Sequence, residues 1–464
     1  MARTTVLGID SSTQSTKALL VDAATGEVLG RRRAPHPDGT EVDPRAWLAA
    51  LDDAAGPFLD EAAAVAVGGQ QHGMVALDEH DAVVRDALLW NDTRSAPQAR
   101  ELVEEMGGPA ACAEELGSVL VASMTSTKLR WMAEHEPEHA ARTHRVLLPH
   151  DYLSWHLNAE KTSFFTDRGD ASGTGYFSTR TEQWSHDLAR RALGRDVALP
   201  ELAPHPRAVL GRTPGGAQLA AGTGDNMAAA LGVTLGPGDV SLSVGTSGVA
   251  AMVSETRTAD PTGLVTGFAD ATGRYLPMAT TLNAARILEF GARLLGVDHA
   301  GLSALALAAR PGAGGTTLLP YLDGERTPNR PGARATLHGM SSATSREDVA
   351  RACVEGLLCS LADGVDALER ATGVPARRIV LIGGGAQSEA VRRLAPAVLG
   401  RPVLVPAPSE YVALGAARQA AWALSGADEP PAWALPGVQE FTADPTPQVL
   451  EAYRVLRDRT GAWS

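Results

Sequence analysis

Asp10 stands at the end of a short apolar run, residues 6–10, and is followed by Ser11, Ser12, Thr13, Gln14 and Ser15 before a second apolar run at 18–21. That order predicts a strand, a turn of small hydroxyl residues and a second strand. Small side chains leave backbone N–H groups open to an anion. A carboxylate at a strand end suits a hard cation such as Mg²⁺ that bridges to phosphate oxygens. An ordinary hairpin with a polar loop reads from the same residues, and Lys17 fits either a point charge for the anion or a solvent-facing side chain. The pattern returns near mid-chain, with residues 240–244, then Gly245-Thr246-Ser247-Gly248, then 249–253. Two such hairpins in two halves predict a duplicated domain. A third cluster, Gly383-Gly384-Gly385-Ala386-Gln387-Ser388, follows apolar residues 379–382 and precedes a helical pattern from Glu389. It lacks the glycine spacing of a dinucleotide fold.

Three further stretches carry polar side chains at turns. Thr223-Gly224-Asp225-Asn226 presents a carboxylate just before a small-residue helix, and on pattern alone Asp225 reads as a helix N-cap. Gln70-Gln71-His72-Gly73-Met74 is a polar tip between apolar residues 62–68 and 75–78, the pattern of a surface hairpin. No Arg or Lys lies between Gly68 and Asp78, so this loop offers nothing to neutralise an acid and suits a neutral polyol or ketose held by amide and imidazole hydrogen bonds. In Trp90-Asn91-Asp92-Thr93-Arg94 the indole fits a sugar face or a core position, and Arg94 fits a structural ion pair. His135-Glu136-Pro137-Glu138-His139 spells the zinc-protease pattern, but Pro137 breaks the helical turn that would align both imidazoles. Arg168-Gly169-Asp170 spells an adhesion tripeptide and reads as a turn.

The hairpins at Asp10 and Gly245 and the cluster at Gly383, in that order, resemble the two phosphate motifs and the adenosine motif of the actin-like ATPase superfold. Over essentially the whole chain the match is closest to the FGGY carbohydrate kinases. Residues 123–135 and 335–355 resemble the two signatures of that family, with Cys353 at a position usually small or aliphatic. The resemblance implies an α/β fold of two actin-like (ribonuclease H-like) ATPase domains flanking a central cleft. It implies Asp225 as catalytic base and Asp10 as the Mg²⁺ residue. Ser12, Thr13, Lys17, Gly245, Thr246 and Ser247 fall at phosphate positions, and Gly384, Gly385 and Gln387 at adenosine positions. Gln71, His72, Trp90 and Asp225 fall at sugar positions. The Gln-Gln-His-Gly loop and the Trp-Asn-Asp-x-Arg run resemble the branch of the family that phosphorylates D-xylulose, so the expected reaction is ATP-dependent formation of D-xylulose 5-phosphate. A kinase for another polyol, ketose or sugar acid is the nearer alternative, and an actin-like ATPase without a sugar substrate the remoter one. Closure of the domains is expected to exclude water. The region from Asp170 to Gly173 is a strand segment in the family. The first turn departs from the usual Asp-x-Gly-Thr, because Ser12 stands where Gly is expected, and a left-handed backbone there would be strained.

The bulk composition agrees with such an enzyme. A chain of 464 residues exceeds one ordinary core, and the break at Leu235-Gly236-Pro237-Gly238 divides it into expected domains 1–236 and 237–464. A net charge of −13 argues against a nucleic-acid partner. Three scattered cysteines argue against a disulfide framework and fit a reducing cytoplasm. No apolar run is long enough to span a membrane. A small sugar and ATP are the expected partners, and a homodimer is left open.

Overall fold

The computed structural model describes residues 3–463. The chain forms two α/β units. Unit 1 holds the residues up to Leu235 together with Glu255–Leu276 and Ser409–Ala434, and unit 2 holds Gly236–Ser254, Pro277–Pro408 and Leu435–Ser464.

Unit 1 begins with strand β1 (Thr5–Ser11), β2 (Ser15–Asp22) and β3 (Val28–Pro35), an antiparallel run whose apolar residues are buried throughout β1 and β2. Helix α1 (Arg45–Leu59) buries Trp47, Leu51 and Ala55 against this sheet, with Leu7, Ile9 and Leu20 in the same core. Strand β4 (Ala64–Gly69) then pairs parallel with β1. After helices α2 (Thr125–His135) and α3 (Pro149–Leu157), strands β5 (Val209–Arg212) and β6 (Gln218–Ala220) extend the sheet. The order is β5-β6-β4-β1-β2-β3. A two-residue strand, β7 (Thr223–Gly224), joins the last two residues of β4 in parallel and runs directly into helix α4 (Asp225–Gly232).

Register decides what meets at the sheet edge. Asp10 lies opposite Lys17 on β2 and opposite Gly68 on β4, while Thr223 and Gly224 lie opposite Gly68 and Gly69. The carboxyl ends of β1, β4 and β7 therefore converge, and those ends carry Asp10, Gln70–His72 and Asp225. The mouth of parallel strands is where open α/β sheets bind ligands.

Unit 2 repeats the arrangement. Strand β8 (Asp239–Val244) turns through Gly245–Ser247 into antiparallel β9 (Gly248–Met252), which pairs with β10 (Tyr275–Thr281). Helices α5 (Ala285–Leu295), α6 (His299–Ala308) and α7 (Arg346–Thr372) follow. Strand β11 (Arg378–Ile382) pairs parallel with β8 as β4 does with β1, then comes α8 (Glu389–Leu399). With β12 (Val403–Val405) and β13 (Gln439–Phe441), the unit 2 strands run β10-β9-β8-β11-β12-β13. Helix α7 is capped at one end by Ser345, whose hydroxyl accepts from the Asp348 N–H, and stopped by Gly373 at φ +69°.

Helix α9 (Tyr411–Ser425) belongs to unit 1 although it lies late in the chain. Its small residues let backbones touch. A Cβ on Gly8 of β1 would lie 1.9 Å from the Ala413 carbonyl oxygen, one on Gly232 of α4 would lie 2.0 Å from that of Tyr411, and one on Gly415 would lie 1.8 Å from that of Ala228. The backbone-to-backbone packing of β1, α4 and α9 thus tolerates only glycine at these three positions.

Two local expectations change. Ser12 is absent from the residues with left-handed backbone, so the first turn carries no strain there. Its N–H and hydroxyl both donate to the Ser15 carbonyl, at 3.1 Å each. The expected strand at 170–173 is instead a helical turn, Arg168–Ala171, because the Asp167 carboxylate accepts from the N–H groups of Gly169 and Asp170 and so nucleates it.

Gly415→Val should cost several kcal/mol, since neither opposing backbone can retreat. Gly56→Ala, in the last turn of α1 with no atom beyond its chain neighbours within 4 Å of the new Cβ, should instead change stability by no more than about 1 kcal/mol, since the gain in helix propensity is opposed by the ring of Pro57 that follows it. Thermal melts of both variants check this pair, and an unchanged melt for Gly415→Val would refute the backbone-contact account.

Candidate functional site

Asp10 is almost fully buried at the end of β1. Its Oδ2 accepts from the Lys17 Nζ at 3.2 Å, and the same ammonium pairs with Glu410 at 2.8 Å. Lys17 thus pairs with two carboxylates while remaining partly exposed. Burial pushes the Asp10 carboxyl up to about 6, against the opposing pull of Lys17. Its Oδ1 has no partner, and neither has the neighbouring buried Ser11 hydroxyl. An orphaned buried carboxylate oxygen fits a hard cation or that cation's water. Among the described residues no three His, Cys, Asp or Glu side chains cluster as a complete cage. The donor set therefore fits Mg²⁺ held by one carboxylate together with a ligand's phosphates, and does not fit a structural metal.

Asp225 is the first residue of α4 and does not cap it, since Gly224 occupies the N-cap position. Its Oδ1 accepts from the Asn226 N–H at 2.8 Å and the Asn226 amide at 3.0 Å, which leaves Oδ2 directed elsewhere. The carboxyl is half-buried by surface area, yet loss of hydration, with Asp10 and Asp170 nearby, pushes it up to about 7. The helix terminus favours the ionised form by a smaller amount, so desolvation wins.

The same Asn226 amide donates to Gln71 Oε1 at 2.9 Å, tying the Gln70–Met74 loop to Asp225. Gln71 is buried with its Nε2 unpaired, and Gln70 is buried with both amide atoms unpaired. His72 adopts φ +68° and its Nδ1 lies 2.7 Å from the Gly173 carbonyl oxygen, which fixes the ring proton on Nδ1. The Trp90 indole is about half exposed, and its Nε1 donates to Thr13 Oγ1 at 2.8 Å, so it lies over the first turn and outside any core. Arg94 is structural: it pairs with Asp92 and Glu41 and lies over the Trp131 ring.

Local sequence carries little signal for the buried network behind Asp225. His150 on α3 places Nδ1 2.6 Å from Asp170 Oδ2 and Nε2 3.3 Å from Asp151 Oδ1, all without exposure beyond 2%. Its two carboxylate neighbours outweigh its burial and raise the imidazole to about 9, so it is the cation of the cluster. The chain passes over this pair at Gly222 and Gly224, where a Cβ would lie 2.8 Å from the His150 ring and 3.1 Å from Asp170 Oδ1. Only the spacing of these glycines beside a carboxylate hinted that something lies beneath.

In unit 2, Gly245, Thr246, Gly384, Gly385 and Gln387 line one cavity of about 680 Å³, a volume that suits a nucleoside. Ser247 is not in its lining. Helices α5 and α6 supply Ala285, Leu288, Glu289, His299, Ser303 and Ala304, which sequence reasoning missed because they lie in no motif. Gly383 adopts φ +93° and a Cβ there would lie 2.8 Å from the Val244 carbonyl oxygen, which explains the first glycine of the cluster. The zinc-like pattern is broken as its Pro137 requires: one helix ends at His135 and another starts at Pro137. No helix among the described residues is long and apolar enough to cross a membrane.

Residues 5–232 match the N-terminal domain, and residues 240–424 the C-terminal domain, of the FGGY family of carbohydrate kinases. The xylulose kinase of Streptomyces coelicolor is 49% identical over 439 residues, covering 91% of this chain and 89% of that protein. That of Haemophilus influenzae is 33% identical over 448 residues, 90% of each. Among solved structures, the xylulose kinase of Bifidobacterium adolescentis superposes with a TM-score of 0.92 at 48% identity, covering 98% of this chain and 99% of that one. The gluconate kinase of Lactobacillus acidophilus, at 20% identity and a TM-score of 0.89 over the full length of both chains, shares the fold.

The raised Asp225 carboxyl has a consequence for stability. A carboxyl raised to about 7 from 3.8 destabilises the folded state wherever the unfolded chain would ionise it, so that cost is absent below the unfolded value, grows with pH and is complete above pH 7. Asp225→Asn, which keeps the acceptor oxygen, should therefore stabilise the fold at pH 8 by an amount on the order of 2–4 kcal/mol, read as a raised melting temperature, and by roughly a third as much at pH 5. Equal melting at pH 8 would contradict the desolvation account.

Proposed function

This chain belongs to the FGGY family of carbohydrate kinases, and from that premise we propose that it transfers the γ-phosphoryl group of ATP to D-xylulose, giving D-xylulose 5-phosphate and ADP. The observation that carries this reading is the convergence of Asp10, the Gln71–His72 loop and Asp225 at three adjacent strand ends. The substrate follows from the likeness to xylulose kinases at 48–49% identity and from a loop without Arg or Lys. A gluconate carboxylate would have no cation to meet there.

In the proposed reaction, Gln71, His72 and Trp90 orient the ketose and Asp225 Oδ2 takes the proton of its attacking hydroxyl. The hydroxyl oxygen bonds to the γ-phosphorus as the bond to the ADP oxygen breaks, a transfer that needs positioning and charge stabilisation more than covalent help. Asp10 would hold Mg²⁺, which when bound neutralises the phosphate oxygens. Thr13, and in unit 2 Gly245, Thr246 and Ser247, supply donors to the phosphates, and Ser12 and Lys17 join them by exchanging their bonds to the Ser15 carbonyl and to Glu410. Gly384, Gly385 and Gln387 receive the adenosine, with the glycines admitting close backbone approach. Sugar binding and proton transfer are thereby assigned to residues 1–236 and nucleotide binding chiefly to 237–464. The proposed setting is the cytoplasm, where ATP and reduced thiols coexist.

ADP release with Mg²⁺-ATP should be fast with D-xylulose and at least tenfold slower with D-ribulose, L-ribulose, gluconate or glycerol, and Asp225→Ala should lower kcat by about 10³-fold or more. Turnover that prefers another sugar would retire the substrate while leaving the base in place. Turnover indifferent to sugar and to Asp225 would retire the kinase reading. Because the base must be ionised and its carboxyl lies at about 7, kcat/KM for the sugar should fall as pH drops below about 7, approaching tenfold per unit. A flat profile between pH 8 and 5.5 would remove Asp225 from that role.

A further inference from the structure

Lys128 on α2 is among the largest side chains with no exposure at all. Its Nζ donates to the His72 carbonyl at 3.0 Å and to the Ser123 carbonyl. The Thr125 hydroxyl donates to the same His72 carbonyl at 3.2 Å. Among the described residues no carboxylate forms an ion pair with this ammonium. Asp92, the carboxylate that acts on it through space, is occupied by Arg94 and Thr40. Burial accordingly drives the Lys128 amine down to about 7. An ammonium in such a place costs several kcal/mol that a methionine of similar length would not. What the ammonium does and methionine cannot is donate to two carbonyls at once.

One of those carbonyls belongs to a strained residue. His72 is a non-glycine residue with left-handed backbone at φ +68°, a conformation costing on the order of 1 kcal/mol unless its surroundings impose it. The ring is fixed on its other side by the Gly173 carbonyl at 2.7 Å and by the Phe268 ring, 5.6 Å between centroids. Gly173 has no room for a side chain, since a Cβ would lie 2.6 Å from His72 Nδ1. His72 is thus gripped by its carbonyl from α2 and by its imidazole from residues 173 and 268.

We propose that Lys128, assisted by Thr125, is a positioning residue for the sugar: it pins the His72 carbonyl so that the His72 imidazole and the adjoining Gln71 amide hold the geometry that receives the ketose. Lys128 itself touches no substrate. The inference rests on the reading of Gln70–Met74 as the sugar loop.

The test compares Lys128→Met, Thr125→Val, Gln71→Ala and His72→Ala by steady-state kinetics with D-xylulose and with Mg²⁺-ATP, alongside thermal melts. Lys128→Met should raise the sugar KM about tenfold or more and Thr125→Val about threefold, as expected for loss of charged and neutral donors, with the Mg²⁺-ATP KM within about twofold of wild type. Thr125→Val is nearly isosteric and carries the test should Lys128→Met fail to fold. Sugar and nucleotide KM rising together with a lowered melting temperature would reduce Lys128 to a structural role and overturn the proposal. An unchanged sugar KM in Lys128→Met and Thr125→Val, with a raised one in Gln71→Ala and His72→Ala, overturns the clamp alone. An unchanged sugar KM in all four overturns the sugar-loop reading and the clamp with it.

Discussion

The parallel pairing at the end of β4 is the constraint on which unit 1 depends. Gly68 and Gly69 are flanked by Asp10 and Ser11 on one side and by Thr223 and Gly224 on the other. Asp10 and Thr223, separated by more than two hundred positions, are thereby brought to one edge two strand spacings apart, about 10 Å. The glycines make this possible. A Cβ on Gly68 would meet Val412 and Ala228, and one on Gly69 would meet His150. Helix α9 fixes the arrangement from behind by touching β1 and α4 backbone to backbone.

That edge is electrostatically expensive. Asp10, Asp151, Asp170 and Asp225 are all raised by burial, and among the described residues His150 and Lys17 alone offer opposing charge close by. Ordinary core design would replace such groups with apolar ones at a gain in stability. Together with the unpaired amides of Gln70 and Gln71 and the unpaired Asp10 Oδ1, they concentrate perturbed carboxyls and unmet donors and acceptors at one edge, the pattern that accompanies functional sites more often than structural ones.

Unit 2 uses the same hairpin and the same parallel partner for a different surface. Between β8 and β9 the turn at Gly245–Thr246 faces a cavity that the glycine cluster after β11 also lines. The topology is shared, but the residues at the strand ends differ: carboxylates and amides in unit 1, glycines and hydroxyls in unit 2. The fold provides the edge, and the residues placed there decide what chemistry it can do.

The sequence by itself determined the elements. Alternation of apolar runs with small hydroxyl or glycine turns located both hairpins, the patterns after Asp225 and from Glu389 located α4 and α8, and Pro137 alone was enough to exclude the zinc pattern, because these are local properties of the chain. The tertiary structure decided the partners. Nothing local says that residues 409–434 return to unit 1, that Asp167 winds 168–171 into a helical turn, or that α5 and α6 line the cavity beside Gly384. The buried pair of His150 with Asp170, the grip of Lys128 on His72 and the raised Asp225 carboxyl stayed invisible for the same reason. Each arises from groups far apart in sequence sharing a dry interior, where charge and hydrogen bonding depend on distance and burial that residue spacing does not encode.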